Sequence, residues 1–337
     1  MLEFCERCER KEESRLSRMF IFAGMPLKKF LPIVLIVAVI GAIVYVVNVD
    51  SVASNDDSQT FQDLPQPSPK VTPPDPIAQE NFLTANGYFN SGDYSKAVAS
   101  YRKAADLGHA EAQNMLGICY YKGNGVTKNL NLAFECFTKS AMQGFSIAQN
   151  NLANCYVNAW GVDKDYKQAA FWYEKAAEQG DADAQSSLGV RYYNGEGVSK
   201  NYNKAAYWFR KAAEQGHAWG QCYLGECYYD GDGVRTDYEQ AFHWLSKSAE
   251  QGNSRAQFRL GDCYNYGKGV KRNYRTAYMW YYLADLSGHA YARKSYRDLT
   301  NGGLFTSAKV SISEASSARS EAQEKYNEIK RNMNNSK

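Results

Sequence analysis

The chain has 337 residues, with 39 basic and 36 acidic side chains, four histidines and a formal charge of +3. Seven basic and five acidic residues precede the end of the apolar run at Val49, so the remaining 32 and 31 nearly cancel over the main body. That balance excludes the broad basic surface of a nucleic-acid binder.

Residues 1–29 read as a short cytoplasmic tail. Cys5 and Cys8 form a lone C-x-x-C there, two ligands short of a structural zinc site. MPLKK at Met25 resembles a start of its own, which would make residues 1–24 an upstream extension. Residues 30–49, FLPIVLIVAVIGAIVYVVNV, carry no charge. At about 1.5 Å per residue they span roughly 30 Å, the thickness of a bilayer core, and read as a transmembrane signal-anchor helix. Lys28 and Lys29 precede the run, and Asp50, Asp56, Asp57 and Asp63 follow it. The positive-inside bias therefore places the N-terminus in the cytoplasm and the rest outside, in the periplasm if the envelope is Gram-negative. A cleaved signal peptide is the rival reading, with Ser51-Val52-Ala53 as the cleavage site. Residues 50–77 form a linker in which Pro65, Pro67, Pro69, Pro73, Pro74 and Pro76 favour a stiff, extended chain.

Beyond the linker, residues 78–109 read as a short helical hairpin. A repeat follows: Tyr120, Tyr156, Tyr192, Tyr228 and Tyr264 each open a related turn, YYKGNGV, YVNAWGV, YYNGEGV, YYDGDGV and YNYGKGV. The step is 36 residues, giving five units at 110–145, 146–181, 182–217, 218–253 and 254–289. In YYDGDGVR, Asp230 and Asp232 suggest a calcium loop. An EF-hand would need a ligand where Val234 stands and a glycine where Arg235 stands, and Asp230 becomes Lys122, Asn194 or Tyr266 in sister units. Only the glycines recur, so the stretch is a turn.

Within 182–217, Gln185, Leu188, Gly189 and Tyr192 share one helical face. Recurrence of the helix glycine at 117, 189, 225 and 261 suggests that two helix backbones meet there. Asn129, Asp165, Asn201, Asp237 and Asn273 are N-cap residues for a second helix. Its apolar face holds Tyr202, Ala205, Trp208, Phe209 and Ala212, and Gly144, Gly180, Gly216, Gly252 and Gly288 end it. Each unit is an antiparallel helix pair too small to bury its own apolar face, and stacking makes one continuous core with a concave side. Residues 290–337 supply the terminal cap. Ser311 and Glu314 form a capping box, and Ile312, Ala315, Ala322, Tyr326 and Ile329 line a helix face. The fold class is all-α: a right-handed α-solenoid of antiparallel helix pairs plus one transmembrane helix.

The phrases AEAQNMLGICYYKGNGV, ADAQSSLGVRYYNGEGV and KAAEQG resemble the Sel-one-like repeat (SLR), a relative of the tetratricopeptide repeat, over residues 110–289. The hairpin at 78–109 looks more like a tetratricopeptide unit. The resemblance implies a membrane-tethered scaffold or adaptor that binds a protein or peptide on its concave face, without catalysis or cofactor. The alternative it implies is a cell-wall-directed hydrolase or penicillin-interacting protein like the cysteine-rich relatives. Those relatives bridge their helices from slots that here hold Gln113, Gln185, Gln221 and Ala141, Ala177, Ala213.

Cys119, Cys155, Cys227 and Cys263 share one slot, too far apart between neighbouring units to bridge, and are read as packing residues. Cys136 stands where other units have Trp, and Cys222 lies outside both slots; the redox state of all six stays open. His109, His217 and His289 share the slot after the second helix, which suggests a cation at a helix C-terminus. Candidate partner-binding residues are the exceptions to the period on the outward side of the first helices. They are Trp219, Tyr223, Phe258, Arg259 and Arg191, with Tyr121, Tyr193 and Tyr229 in one recurring slot. Together they would form an aromatic strip with Arg anchors, although several are also placed to pack between adjacent units.

Overall fold

A computed structural model describes residues 75–301 and 308–335, all within one of the chain's two units, Phe61–Lys337. The described residues form fourteen helices and no strand. A first pair, α1 (Pro76–Asn90) and α2 (Tyr94–Asp106), precedes five pairs of thirteen-residue helices. The first helices of these pairs are α3 (Ala110–Lys122), α5 (Ser146–Asn158), α7 (Ala182–Asn194), α9 (Ala218–Asp230) and α11 (Ser254–Tyr266). The second are α4 (Leu130–Met142), α6 (Tyr166–Glu178), α8 (Tyr202–Glu214), α10 (Tyr238–Glu250) and α12 (Tyr274–Leu286). Then come α13 (Ala292–Asn301) and α14 (Ile312–Asn335). The apolar run at 30–49, Cys5 and Cys8 lie outside the described residues, as does most of the linker. Among the described residues no helix is long and apolar enough to cross a membrane.

Capping sets the helix lengths. Asp75 accepts from the backbone N–H of Ile77 at 2.7 Å, and Pro76 stands at the first helical position, where its missing N–H costs nothing. The first hairpin therefore begins two residues inside the segment read as linker. Each second helix starts at its Asn or Asp cap, as in Asn201, which accepts from Lys204 N at 3.0 Å. The cap's own N–H returns to the tyrosine that opens the turn, as in Asn201 N to Tyr192 O at 2.9 Å.

Two of the three histidines, His109 and His217, occupy a different place from the one their sequence position suggested. They follow a second helix, but the ring of His109 caps the N-terminus of α3, where Nδ1 accepts from Ala112 N at 3.3 Å. His217 does the same for α9, accepting from Gly220 N at 3.1 Å. Asp181 and Asn253 fill the same slot with the same role. The loop between these helices is only three residues long, so one residue leaves a C-terminus and enters an N-terminus, and the N–H donors claim the side chain. The slot is an N-cap acceptor for the following helix, where a charge at the end of the preceding one was expected.

The helix glycines also differ from expectation. Beside Gly117, Gly189 and Gly261 lie the rings of Phe137, Phe209 and Tyr281, and beside Gly225 lies Leu245. A large side chain of the second helix settles into the gap, where a meeting of two backbones was inferred. Tyr281 then donates its hydroxyl to Asp262 at 2.7 Å, and Tyr173 to Asn154 at 2.6 Å. Fully burying a ring or Leu of this kind stabilises by roughly 1.5–3 kcal/mol.

Two devices join one repeat to the next. The second turn glycine, Gly233 at φ 70°, lies against the backbone of Tyr202 at the start of the preceding second helix, and an added Cβ would overlap that carbonyl. Gly125, Gly161, Gly197 and Gly269 make the same approach to Tyr94, Leu130, Tyr166 and Tyr238. The other device is a ladder of buried glutamines. Gln185 Nε2 donates to Ala177 O of the preceding repeat at 3.1 Å, while its Oε1 accepts from Gln215 at 2.8 Å. Gln113, Gln149 and Gln221 repeat this arrangement. At the last repeat Ser287 replaces the donor, and Gln257 Oε1 is buried without a partner.

The end of the array is covered by α14. Its capping box closes with Ser311 N donating to Glu314 at 2.8 Å, and Arg319 Nε donates to the Tyr278 hydroxyl of α12 at 2.6 Å. Ala315, Ala318, Ala322 and Ile329 are buried. Ile312, read as part of that face, is 90% exposed, because it opens the helix ahead of the first contact turn.

Gly233→Ala is expected to lower the unfolding free energy by more than ~3 kcal/mol, because a left-handed non-glycine residue costs about 1–2 kcal/mol before any overlap is counted. Gly180→Ala, equally left-handed but with open space around it, is expected to cost only that first part. Urea unfolding of both variants checks this, and equal losses would contradict the inter-repeat lock. Burial lowers the His109 pKa, so the unfolded chain takes up the proton first. The His109 contribution is present above the unfolded value of about 6.5 and is lost as pH falls through the folded one. His109→Asn, which keeps a cap acceptor, should flatten the melting temperature between pH 7 and 5, and an unchanged slope would contradict the neutral cap.

Candidate functional site

First helices of successive repeats (α3 with α5, α7 with α9, α9 with α11) approach each other more closely than do successive second helices. This places the first helices on the inner wall of the array, and the singular residues of the sequence lie along it.

Between the N-terminal turns of α7 and α9 opens a shallow cleft of about 190 Å3. Asp183, Ser186, Ser187 and Val190 line it from α7, with His217, Trp219 and Tyr223 opposite. Trp219 is 47% exposed, its ring centroid 5.7 Å from Tyr223. Tyr223 stacks on Phe209 at 4.9 Å, and the Arg255 guanidinium sits 5.5 Å from the centre of its ring, so it is held from more than one side. Since His217 Nδ1 is an acceptor at the cap, Nε2 carries the proton and donates to Asp183 Oδ1 at 2.9 Å. That bond holds the Asp183 carboxyl below its ordinary range.

A second group lies between α9 and α11. Glu226, 8% exposed, accepts from Arg255 Nε at 2.8 Å and Arg259 Nε at 3.0 Å through one oxygen. Arg259 also reaches Asp230 at 3.4 Å and Asp262 at 3.8 Å. Phe258 stacks on His289 at 4.3 Å and 14°, beside Tyr281 at 5.4 Å. Burial pushes the His289 pKa down, and its Nδ1 is buried without a hydrogen-bond partner.

Trp219 and Tyr223 thus stand on one repeat, and Phe258 and Arg259 on the next. Arg191 turns instead toward its own loop, 2.6 Å from Glu196, and lies over the Tyr166 ring at 5.3 Å. The tyrosine slot faces the next repeat's turn. Tyr121 lies 4.6 Å from Trp160, Tyr193 donates to Asp232 at 2.7 Å, and Tyr229 carries Lys268 over its ring at 4.1 Å. Of the two readings left open for these tyrosines, packing between units is the contact the geometry displays. The same bonds occupy the acidic turn pair: Asp232 serves Tyr193 and Asp230 serves Arg259.

The six described cysteines are free thiols, five of them buried. Burial raises Cys119 and Cys136 to about 11 and Cys155, Cys227 and Cys263 to about 12, which keeps them protonated.

Sequence reasoning missed Glu226, Arg255 and the Asp183–His217 pair. A signal was present. Glu226 stands where Asn154 and Asp262 accept a tyrosine hydroxyl from their own second helix, but here that helix offers Leu245. The carboxylate is left for the arginines of the next repeat.

Glu226→Gln is expected to lower the melting temperature more than Arg255→Ala. It leaves Arg255 without its counter-charge and Arg259 with only its longer contacts to Asp230 and Asp262, at a nearly buried point, a loss of about 1–3 kcal/mol, whereas the Arg255 side chain is half exposed. Differential scanning calorimetry reads the order, and the reverse order would contradict the role given to Glu226.

The Sel1 repeat model matches residues 87–109, 110–145, 146–181, 182–217, 220–253 and 254–289. That is six repeats, one more than the five read from the sequence, the first falling on the hairpin likened to a tetratricopeptide unit. No curated protein matches the chain. Among solved structures, the chain is similar to c5321, a protective antigen of uropathogenic Escherichia coli displaying an SLR fold. Identity is 34% and the TM-score 0.62, over 73% of this chain and 54% of the antigen, so the chain spans about half of that protein's length. It is also similar to a Sel1 repeat protein from Oxalobacter formigenes, at 34% identity and a TM-score of 0.58, over 64% of this chain and 88% of the other. With its matched segments, paired helices and glycine-locked turns, this chain belongs to the Sel1-repeat family.

Proposed function

We propose that the chain is a membrane-tethered scaffold that docks a protein or peptide on the inner wall of its first helices, centred on Trp219. The observation that carries this reading is the half-exposed indole at the mouth of the α7–α9 cleft. The same slot holds Glu111, Ile147, Asp183 and Arg255 in other repeats, so the ring serves no periodic packing need. Aromatic and arginine side chains on such a wall are the usual carriers of binding energy, and Tyr223, Phe258 and Arg259 stand beside it. The chain acts by holding a partner, not by turning over a substrate.

The apolar length of residues 30–49 and the charge asymmetry around them support the tether, with the repeats on the extracytoplasmic side. Similarity to a protective antigen fits that placement.

Replacing Trp219 and Phe258 together by Ala is expected to weaken peptide capture by at least about 30-fold, since a hot-spot aromatic carries about 2 kcal/mol or more. Circular dichroism controls for folding, and undiminished capture by the folded double variant would contradict the docking wall. In alkaline extraction of cell membranes, the full chain should stay with the bilayer and a chain lacking residues 30–49 should be released. Release of both would contradict the tether.

A further inference from the structure

Resting on the docking reading above, we infer that the α7–α9 cleft receives the ammonium of a lysine side chain on the docked peptide, between the Asp183 carboxylate and the face of Trp219. Charge supports a cation. Asp183 is the one carboxylate in the lining, and no Lys or Arg side chain lines the cleft. The exposed indole adds the negative face of its ring, to which an ammonium is attracted. The nearest guanidiniums carry their own counter-charges: Arg255, 5.5 Å from the centre of the Tyr223 ring, is paired with Glu226, and Arg191 with Glu196.

The geometry selects lysine over arginine. A guanidinium binds a carboxylate best as a fork on both oxygens. Asp183 Oδ1 already accepts from His217 at 2.9 Å, so a fork on both oxygens would have to share Oδ1 with the imidazole. An ammonium needs only the other oxygen, which favours it over a fork. The volume, about 190 Å3, suits one unbranched stem and its charged tip, and Val190 and Tyr223 offer apolar surface along which the stem can lie. The rest of the peptide would continue across Tyr223 toward Phe258 and Arg259.

The test selects a randomised twelve-residue peptide library on the full chain in detergent micelles. The strongest binders are then resynthesised, acetylated and amidated, with Lys, Arg or norleucine at the selected position. Binders are expected to share one fixed lysine, and norleucine is expected to weaken binding about tenfold, the combined effect of an exposed ion pair and a cation–π contact. Arginine should fall between the two. Asp183→Asn, which keeps an acceptor for His217, should erase the difference between Lys and norleucine, and Trp219→Phe should shrink it. Binders without a fixed lysine, dependence on a free α-amino group that acetylation abolishes, or a lysine preference that survives in Asp183→Asn would each overturn the inference. If such binders still lose affinity when Trp219 and Phe258 are replaced, the docking wall stands and only the lysine pocket falls. If no peptide binds at all, both fall.

Discussion

At the second glycine of each turn the backbone of one repeat lies on the first backbone carbonyl of the previous second helix, and there is no room there for a Cβ. Most of what the array does follows from that contact. A thirteen-residue helix is marginal in water, and a pair of them buries only one side of each. The turn lock fixes how far one hairpin sits from the next, so rings such as Phe209 and Tyr281 meet their glycine seats and the glutamines meet their carbonyls across the joint. The buried amides are satisfied only when the neighbour is in register, since Gln185 bonds to a carbonyl of the repeat before it. Register and stability are therefore one property here, and the chain extends by repeating a joint.

Regular joints leave the irregular residues free to differ. On the inner wall one slot reads Asp183, Trp219 and Arg255 in three successive repeats, an acid, an indole and a base about one helix spacing apart. The frame holds these side chains without depending on them. Some irregularities are coupled: Leu245 gives up a hydroxyl that Tyr173 and Tyr281 supply elsewhere, and Glu226 is thereby released to organise Arg255 and Arg259. Tyr223 sits against this cluster and Trp219 against Tyr223, so the wall is both aromatic and charged while remaining close to neutral.

The architecture was legible because stacking imposes a period. The Tyr slot, the Asn/Asp caps and the paired turn glycines each repeat at 36 residues, and noise at one copy, such as Ala159 and Trp160, is corrected by the others. Ala159 adopts the left-handed angle, φ 56°, that glycine takes in its sisters. Roles were harder to read than positions. His109 and His217 were placed correctly in the chain but assigned to the wrong helix end, because sequence order does not say which end claims a side chain shared by a short loop. Trp219 and Phe258 could be picked out as exceptions, whereas Glu226 could not. A carboxylate in a slot of Asn and Asp looks ordinary until the missing hydroxyl of Leu245 across the hairpin is known. The tyrosines at 121, 193 and 229 show the converse, since recurrence in one slot pointed to a surface strip while their rings and hydroxyls meet the following turn.

The most direct check is to remove a hairpin from its neighbours. Residues 182–217 alone should give the circular dichroism of an unfolded chain at every temperature, while residues 146–253, with one repeat on either side, should show a helical spectrum and a cooperative melt. A stable helical fold in the isolated 36-residue unit would show that the repeats hold themselves together, and would contradict a structure built on their joints.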